Sequence, residues 1–406
     1  MSNGTTDPAP PSRPIRLTPL EIASGIVLGV DDGDDAAQLD SQAPESPLAA
    51  LERTIRPALL RTPCLVSFSG GRDSSGILAA ATNLARREGL PLPVPATNVV
   101  RTEAADERDW QETVVRHLQL TDWVRIEIDD ELDAVGPVAT EVLRRHGLLW
   151  PFNAHFHSPL LAAAAGGSLL TGVGGDELLG ATPTRASLVL AGRARPTLRD
   201  VGRVGLSFGP RRLRGAVLSR GIPMLFPWLR EKARRRLAAA WGMQAAAEPR
   251  QWRDQVHWWT RLRYFRVGVA SLALLAEDEG VSIVHPFAAA RVATALARAG
   301  GELGPPDRTA STMLLFGELL PGTVLERPTK AQFDALFWNR HSRRFAATWN
   351  GGGIDRDLVE LDALRSLWSS PSPPGQTFTL LQAAWIASSY AEAPSTADRG
   401  EQGSRG

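Results

Sequence analysis

Sulfur chemistry is nearly absent from this 406-residue chain: its single cysteine, Cys64, precludes a disulfide framework and fits a reducing, cytoplasmic compartment. Cys64 precedes the apolar run LVSF and reads as a core residue, not a nucleophile. Long hydrophobic runs are missing too. None approaches the roughly 18 apolar residues of a membrane span, and EIASGIVLGV, Glu21 to Val30, passes from a Pro-rich start into the acidic DDGDD without a cleavage pattern. No membrane partner is expected. A net charge of +1 supplies no broad basic asymmetry, so nucleic acid is not expected as a partner either. Lysine is almost as scarce as cysteine: Lys232 and Lys330 stand against 43 arginines. What the chain does have is size, and with 43% hydrophobic residues it can bury a large core and hold two lobes.

Residues 1–50 read as a disordered or short N-terminal segment, Pro/Ser/Thr-rich to about residue 15, with an acidic linker from Asp31 to Pro47. Residues 51–390 read as one α/β domain with a largely helical second half, and 391–406 as a disordered tail. Three βα units open the domain. LVSF leads into GILAAATNLARR, VPATNVV into a helix over Asp106 to Leu118, and VRIEI into a helix over Ala134 to His146. Such alternation specifies a parallel sheet covered on both faces. Residues 195–250 break the pattern with an Arg-rich helical insertion around MLFPWLREKARRR. It reads either as a recognition element for a peptide or other large substrate, or as a basic solvated helix on a packed aromatic anchor. Lys232, inside it, reads as a surface charge.

Two glycine bends carry the chemistry. The first, VSFSGGRDSSG (66–76), joins a strand to a helix. Gly70 and Gly71 let the backbone approach an anion, the opening amides of the helix face it, and Ser69, Ser74 and Ser75 add uncharged donors. Asp73 beside a phosphate requires a bridging divalent cation, for which Mg²⁺ is the natural choice. The loop lacks the spacing of a Walker motif. The second bend, SLLTGVGGDELLG (Ser168 to Gly180), is a short buried strand, a turn through Thr171, Gly172, Val173 and Gly174, and the acidic pair Asp176 and Glu177 opening a helix. Taken alone, Asp176 reads equally as a helix cap.

SGGRDSS resembles the PP-loop of ATP pyrophosphatases, which implies an adenine nucleotide alpha hydrolase-like parallel-sheet fold. Together with TGVGGDE in this order it is similar to the synthetase domain of the asparagine synthetase and β-lactam synthetase family, over roughly Pro63 to Phe333. The resemblance implies ATP and Mg²⁺, with Asp73 and Asp176 as metal ligands and the two bends as nucleotide-binding elements. ERPTKAQFD (Glu326 to Asp334) resembles that family's Arg-x-x-Lys-x-x-Phe segment, on Arg327, Lys330 and Phe333. Lys330 is then the residue that neutralises charge on the α-phosphate and departing pyrophosphate, a task for a flexible point charge.

Two departures from the family shape the expected function. The N-terminal glutaminase needs well over a hundred residues and a leading cysteine; here Ser2 stands second and about 65 residues precede the loop, so no glutaminase is expected. The nitrogen nucleophile is then free ammonia, ammonia from a partner, or a substrate amine. Val173 occupies the place of a glutamate in asparagine synthetases and of a catalytic-dyad tyrosine in β-lactam synthetases, and valine takes no proton. Either another side chain is the base, with His155, His157 and Glu177 as candidates, or the nucleophile arrives deprotonated or loses its proton to water. The resemblance implies an ATP-dependent, AMP-forming ligase joining a small-molecule or peptide carboxylate to an amine, in natural-product biosynthesis, with the lasso-peptide macrolactam synthetases as one branch and biosynthetic proteins as further partners. Asparagine synthesis from ammonia, and a non-catalytic nucleotide-binding scaffold, are the alternatives.

Overall fold

The structure is a computed structural model that describes residues 15–30, 45–100, 107–180, 185–193, 195, 197, 205–206, 208–327 and 334–391. The expected disordered start (1–14), most of the acidic linker (31–44), the tail beyond 391, and both Lys330 and Phe333 lie outside the described residues.

Five strands form one all-parallel sheet in the order β3-β2-β1-β4-β5: β1 (Cys64–Ser67), β2 (Val94–Val100), β3 (Val124–Ile128), β4 (Ser168–Leu170) and β5 (Ser282–Val284). Side chains of alternating direction sort into the two layers that cover it. Leu65, Ala96 and Leu169 join the cluster under the helix Arg263–Asp278, while Cys64, Val66 and Leu170 join the opposite cluster with α2 (Pro47–Leu59) and α3 (Arg72–Glu88). The chain winds outward from β1 through β2 to β3, then returns to the other side of β1 for β4 and β5. The reversal therefore falls between β1 and β4, where open parallel sheets bind ligands at the strands' carboxyl ends.

The strands predicted as VPATNVV and VRIEI coincide with β2 and β3. The helix expected from Ala134 begins instead at Pro137. Asp133 explains the shift: its carboxylate accepts from Val135 N at 3.0 Å and from Ser342 N at 3.1 Å, which holds the preceding residues in a turn tied to a distant segment. Similarly, Pro47 does not end a linker but opens α2, with Ser46 capping Ala49 N at 3.1 Å.

Residues 15–30 pack into the fold. The helix Pro19–Ser24 starts with a capping box between Thr18 and Glu21, Glu21 pairs with Arg263 at 2.7 Å, and Ala23 O accepts from Trp228 Nε1 at 2.8 Å. In the insertion, Trp228 and Leu229 are buried as the aromatic anchor while Lys232 is exposed. Its helices Arg211–Leu218 and Glu231–Ala245 meet where Gly215 faces Gly242: a Cβ on Gly242 would lie 2.3 Å from Gly215 O.

Candidate active site

The register Leu65↔Leu169 and Val66↔Leu170 brings both glycine bends off the sheet at one level. In the first, Gly70 has φ +80°, a left-handed value that disfavours any side chain, and a Cβ there would lie 2.8 Å from Gln111 Cγ. Gly71 is the N-cap of α3 and places no side chain on its opening amides. Around that N-terminus the Ser69 and Ser74 hydroxyls lie 3.2 Å apart, and Ser74 Oγ donates to Gly71 O at 3.1 Å. Ser75 is fully buried behind them. An uncapped N-terminus of a 17-residue helix with two hydroxyls beside it favours a phosphate oxygen.

The third motif stabilises this loop from beneath. Arg327, buried, donates to Gly70 O at 2.8 Å and to Glu107 Oε1 at 2.7 Å, and its guanidinium stacks 4.8 Å from the centre of the Trp110 ring. Arg327 is thus a fixed brace of the PP-loop.

In the second bend, α7 (Gly175–Gly180) begins directly against Asp73: a Cβ on Gly175 would lie 2.5 Å from Asp73 Cγ. Gly172 likewise comes close enough that its Cβ would sit 3.3 Å from Ser74 N. Asp73 and Asp176 converge on one cation. Arg308 Nη2 donates to Asp73 Oδ2 at 2.6 Å, and Arg308 Nη1 donates to Asp176 Oδ1. Burial disfavours the Arg308 charge, but Asp73 and Asp176 outweigh it and hold the guanidinium protonated more firmly than usual.

Sequence reading missed Arg308. It opens the helix Arg308–Phe316 behind the N-cap Asp307, a position where the helix dipole disfavours a cation. That local mismatch was the available signal of outside carboxylates. The helix is held against α3 by Phe316, whose ring would lie 2.4 Å from a Cβ on Gly76. Arg72 adds a second guanidinium nearby, donating to Thr309 Oγ1 at 3.3 Å, and burial followed by the Arg308 charge lowers its pKa.

The candidate bases separate by environment. His155 is buried, its Nε2 lies 2.9 Å from Leu132 O, and burial lowers its pKa. His157 is driven down to about 4 by burial, as is His285, whose Nδ1 lies 2.6 Å from Thr171 Oγ1. Glu177 shifts the other way: burial raises its pKa, and its Oε1 accepts from Tyr264 OH at 3.1 Å. Val173 is half-buried, its N–H directed to Thr171 Oγ1 at 3.3 Å. Burial pushes the Cys64 thiol up to about 11, which suits a core residue.

A magnesium ion fits the donor set. Two carboxylates that already share one cationic group supply hard oxygen ligands, and Mg²⁺ commonly takes one or two carboxylates with phosphates completing the shell. Among the described residues no group of three or more His, Cys, Asp or Glu side chains is placed to hold a metal ion.

A serine-glycine loop and a converging carboxylate pair at the switch point of a parallel sheet suit an α/β enzyme that uses a nucleotide. Residues 49–386 match the asparagine synthase family, and the chain belongs to it. The family uses ATP, usually with Mg²⁺. The curated proteins contain no match. No helix among the described residues is long and apolar enough to cross a membrane.

Proposed function

We propose that this protein adenylates a substrate carboxylate, releases pyrophosphate, and passes the acyl group to an amine, in the cytoplasmic biosynthesis of a natural product or peptide macrolactam. The observation that carries this reading is the convergence of Asp73 and Asp176 on a single guanidinium between the two glycine bends. Mg²⁺ held by these carboxylates would offset phosphate charge and make the α-phosphorus more electrophilic.

In the first half-reaction a substrate carboxylate oxygen bonds to the α-phosphorus as the bond to pyrophosphate breaks. Ser69, Gly70, Gly71 and Ser74 hold the departing group, backed by the fully buried Ser75, with Thr171 to Gly174 flanking the nucleotide and Lys330 countering charge. In the second, an amine nitrogen bonds to the acyl carbon and AMP departs. The substrate ammonium loses one proton to Glu177 and the nitrogen later loses another to solvent. Glu177, whose pKa burial raises, suits that transfer better than His157, which burial drives down to about 4.

Exchange of labelled pyrophosphate into ATP, driven by candidate peptide or small-molecule carboxylates, tests the first half-reaction. Exchange should vanish in Asp73→Ala and persist in Lys232→Ala. Loss in neither variant, or a wild-type protein that holds no ATP, would overturn the ligase reading and favour a scaffold.

A further inference from the structure

Resting on the ligase reading, we propose that the cleft beside Asp176 and Glu177 seats a peptide group of the substrate together with a neighbouring apolar side chain, so that the substrate is taken as a peptide. The cleft has a volume of about 460 Å³, within the range of roughly 300–1,000 Å³ usual for small-molecule sites. A ligand the size of a dipeptide has room there.

Two fixed amides carry the recognition. Gln244, on the insertion helix Glu231–Ala245, accepts from Gly29 N at 2.7 Å, and because that partner is a donor the accepting atom is Oε1. Its NH₂ end has no acceptor among the described residues. Gln255, buried on the helix Trp252–Trp258, is the converse: its Nε2 donates to Pro249 O at 3.0 Å, and its Oε1 has no donor among the described residues. The wall thus presents one amide donor and one amide acceptor, each anchored through its opposite end. Trp259 adds a third group: it is 4% exposed, and its indole N–H has no acceptor among the described residues. A buried donor on the wall of a cavity is costly unless a ligand supplies the acceptor. A peptide group answers all three, because its carbonyl oxygen has two lone pairs for Trp259 and Gln244 and its N–H donates to Gln255.

Charge does not choose the ligand. Asp176 is bonded to Arg308, Glu177 accepts from Tyr264 OH at 3.1 Å, and Glu248 is exposed to water. An ammonium brings no acceptor for the indole or for Gln244, whereas a carboxylate brings no donor for Gln255 and meets three acidic side chains on the walls. Trp241 and Trp258, both half-buried, supply flat apolar surface for the side chain beside the peptide group. Asp176 belongs both to this wall and to the Arg308 bridge, so a peptide seated here lies beside the carboxylates that mark the nucleotide site.

Equilibrium dialysis of the full chain with N-acetylphenylalanine N-methylamide tests the proposal, against phenethylammonium and 3-phenylpropionate as charged probes with the same ring, and with Mg-ATP binding measured in parallel. Saturable binding of the diamide at least about tenfold tighter than either charged probe is expected. Gln244→Glu keeps an oxygen for Gly29 N but turns the donor end into an acceptor, and should weaken the diamide about tenfold. Trp259→Phe keeps a ring and removes the N–H, and should weaken it about threefold to tenfold. Should Trp259→Phe fail to fold, Gln244→Glu alone decides. Absence of saturable diamide binding, equal binding of either charged probe, or unchanged affinity in either folded variant would each overturn the assignment. A chain that binds Mg-ATP but not the diamide loses the peptide seat and keeps the ligase reading; one that binds the diamide but not Mg-ATP keeps a peptide cleft and loses the ligase.

Discussion

Replacing Arg308 with methionine should convert the carboxylate pair into a magnesium-dependent element of stability. Arg308 contacts Asp73 at 2.6 Å and also pairs with Asp176. At an effective dielectric of about 20, opposite unit charges about 4 Å apart attract by about 4 kcal/mol. The Asp176 side chain is 51% exposed, however, and water recovers much of its share. Adding the repulsion between two carboxylates left facing each other, a net loss of about 1–3 kcal/mol is expected. Magnesium should restore it, because a ligand present at about 100 times its Kd stabilises the folded state by about 2.7 kcal/mol. Urea melts of wild type and Arg308→Met, with MgCl₂ against NaCl of equal ionic strength and no nucleotide, read the effect. Wild type should gain little, since the guanidinium competes for the same oxygens, and the variant should regain most of its loss. Equal gains in both proteins, or none in the variant, would refute the claim that the two carboxylates form one cation site.

Gly175→Ala should fold but lose at least about tenfold in Mg-ATP affinity, measured by calorimetry, because the added methyl lands 2.5 Å from Asp73 Cγ and displaces that carboxylate. Arg327→Met should cost about 3–5 kcal/mol in a denaturant melt by leaving buried Glu107 without its cation, and Arg327→Met with Glu107→Gln should recover part of it. Stability should also fall in acid. His157 and His285 have folded pKa values of about 4 against an ordinary 6.5, so the unfolded chain binds more protons between those values. Their contribution is complete above pH 6.5 and is lost as pH falls toward 4, by about 2 kcal/mol per histidine between pH 7 and 5. Comparing melts of wild type and His285→Asn at the two pH values checks this, and parallel slopes would contradict it.

The parts of the fold that were legible in the sequence are those whose cause is local. VPATNVV and VRIEI end where their apolar, β-branched runs end, and β2 and β3 share those bounds. Glycines at 70, 71, 172 and 174 announced two tight bends because their conformation or close approach excludes other residues. Thr18 and Glu21 form a capping box, so the helix at Pro19 has a local signal in its own residues, although 1–50 read above as a disordered or short N-terminal segment. Where a boundary depends on distant partners, local signals fail. The late start of α5 (Pro137–His146) follows from Asp133 bonding Ser342, some two hundred positions away, which no window of sequence contains.

The site divides along the same line, and the division has a physical basis. Asp73 and Asp176 could be paired on paper because each follows a glycine bend, and parallel strands place such bends at one edge of the sheet. Arg308 could not, since its two partners lie 235 and 132 residues away and its only local mark is an unfavourable place in its own helix. The cleft between the insertion and Glu177 was least legible of all. Trp241, Trp258 and Trp259 occur in helical stretches where an aromatic side chain reads as core, and Trp259 is indeed buried there. Only the folding of the insertion against α7 turns those rings into a wall beside Glu177. Short motifs therefore mark the family scaffold, while the walls of this cleft come from separate segments, each with an ordinary structural reason to be apolar.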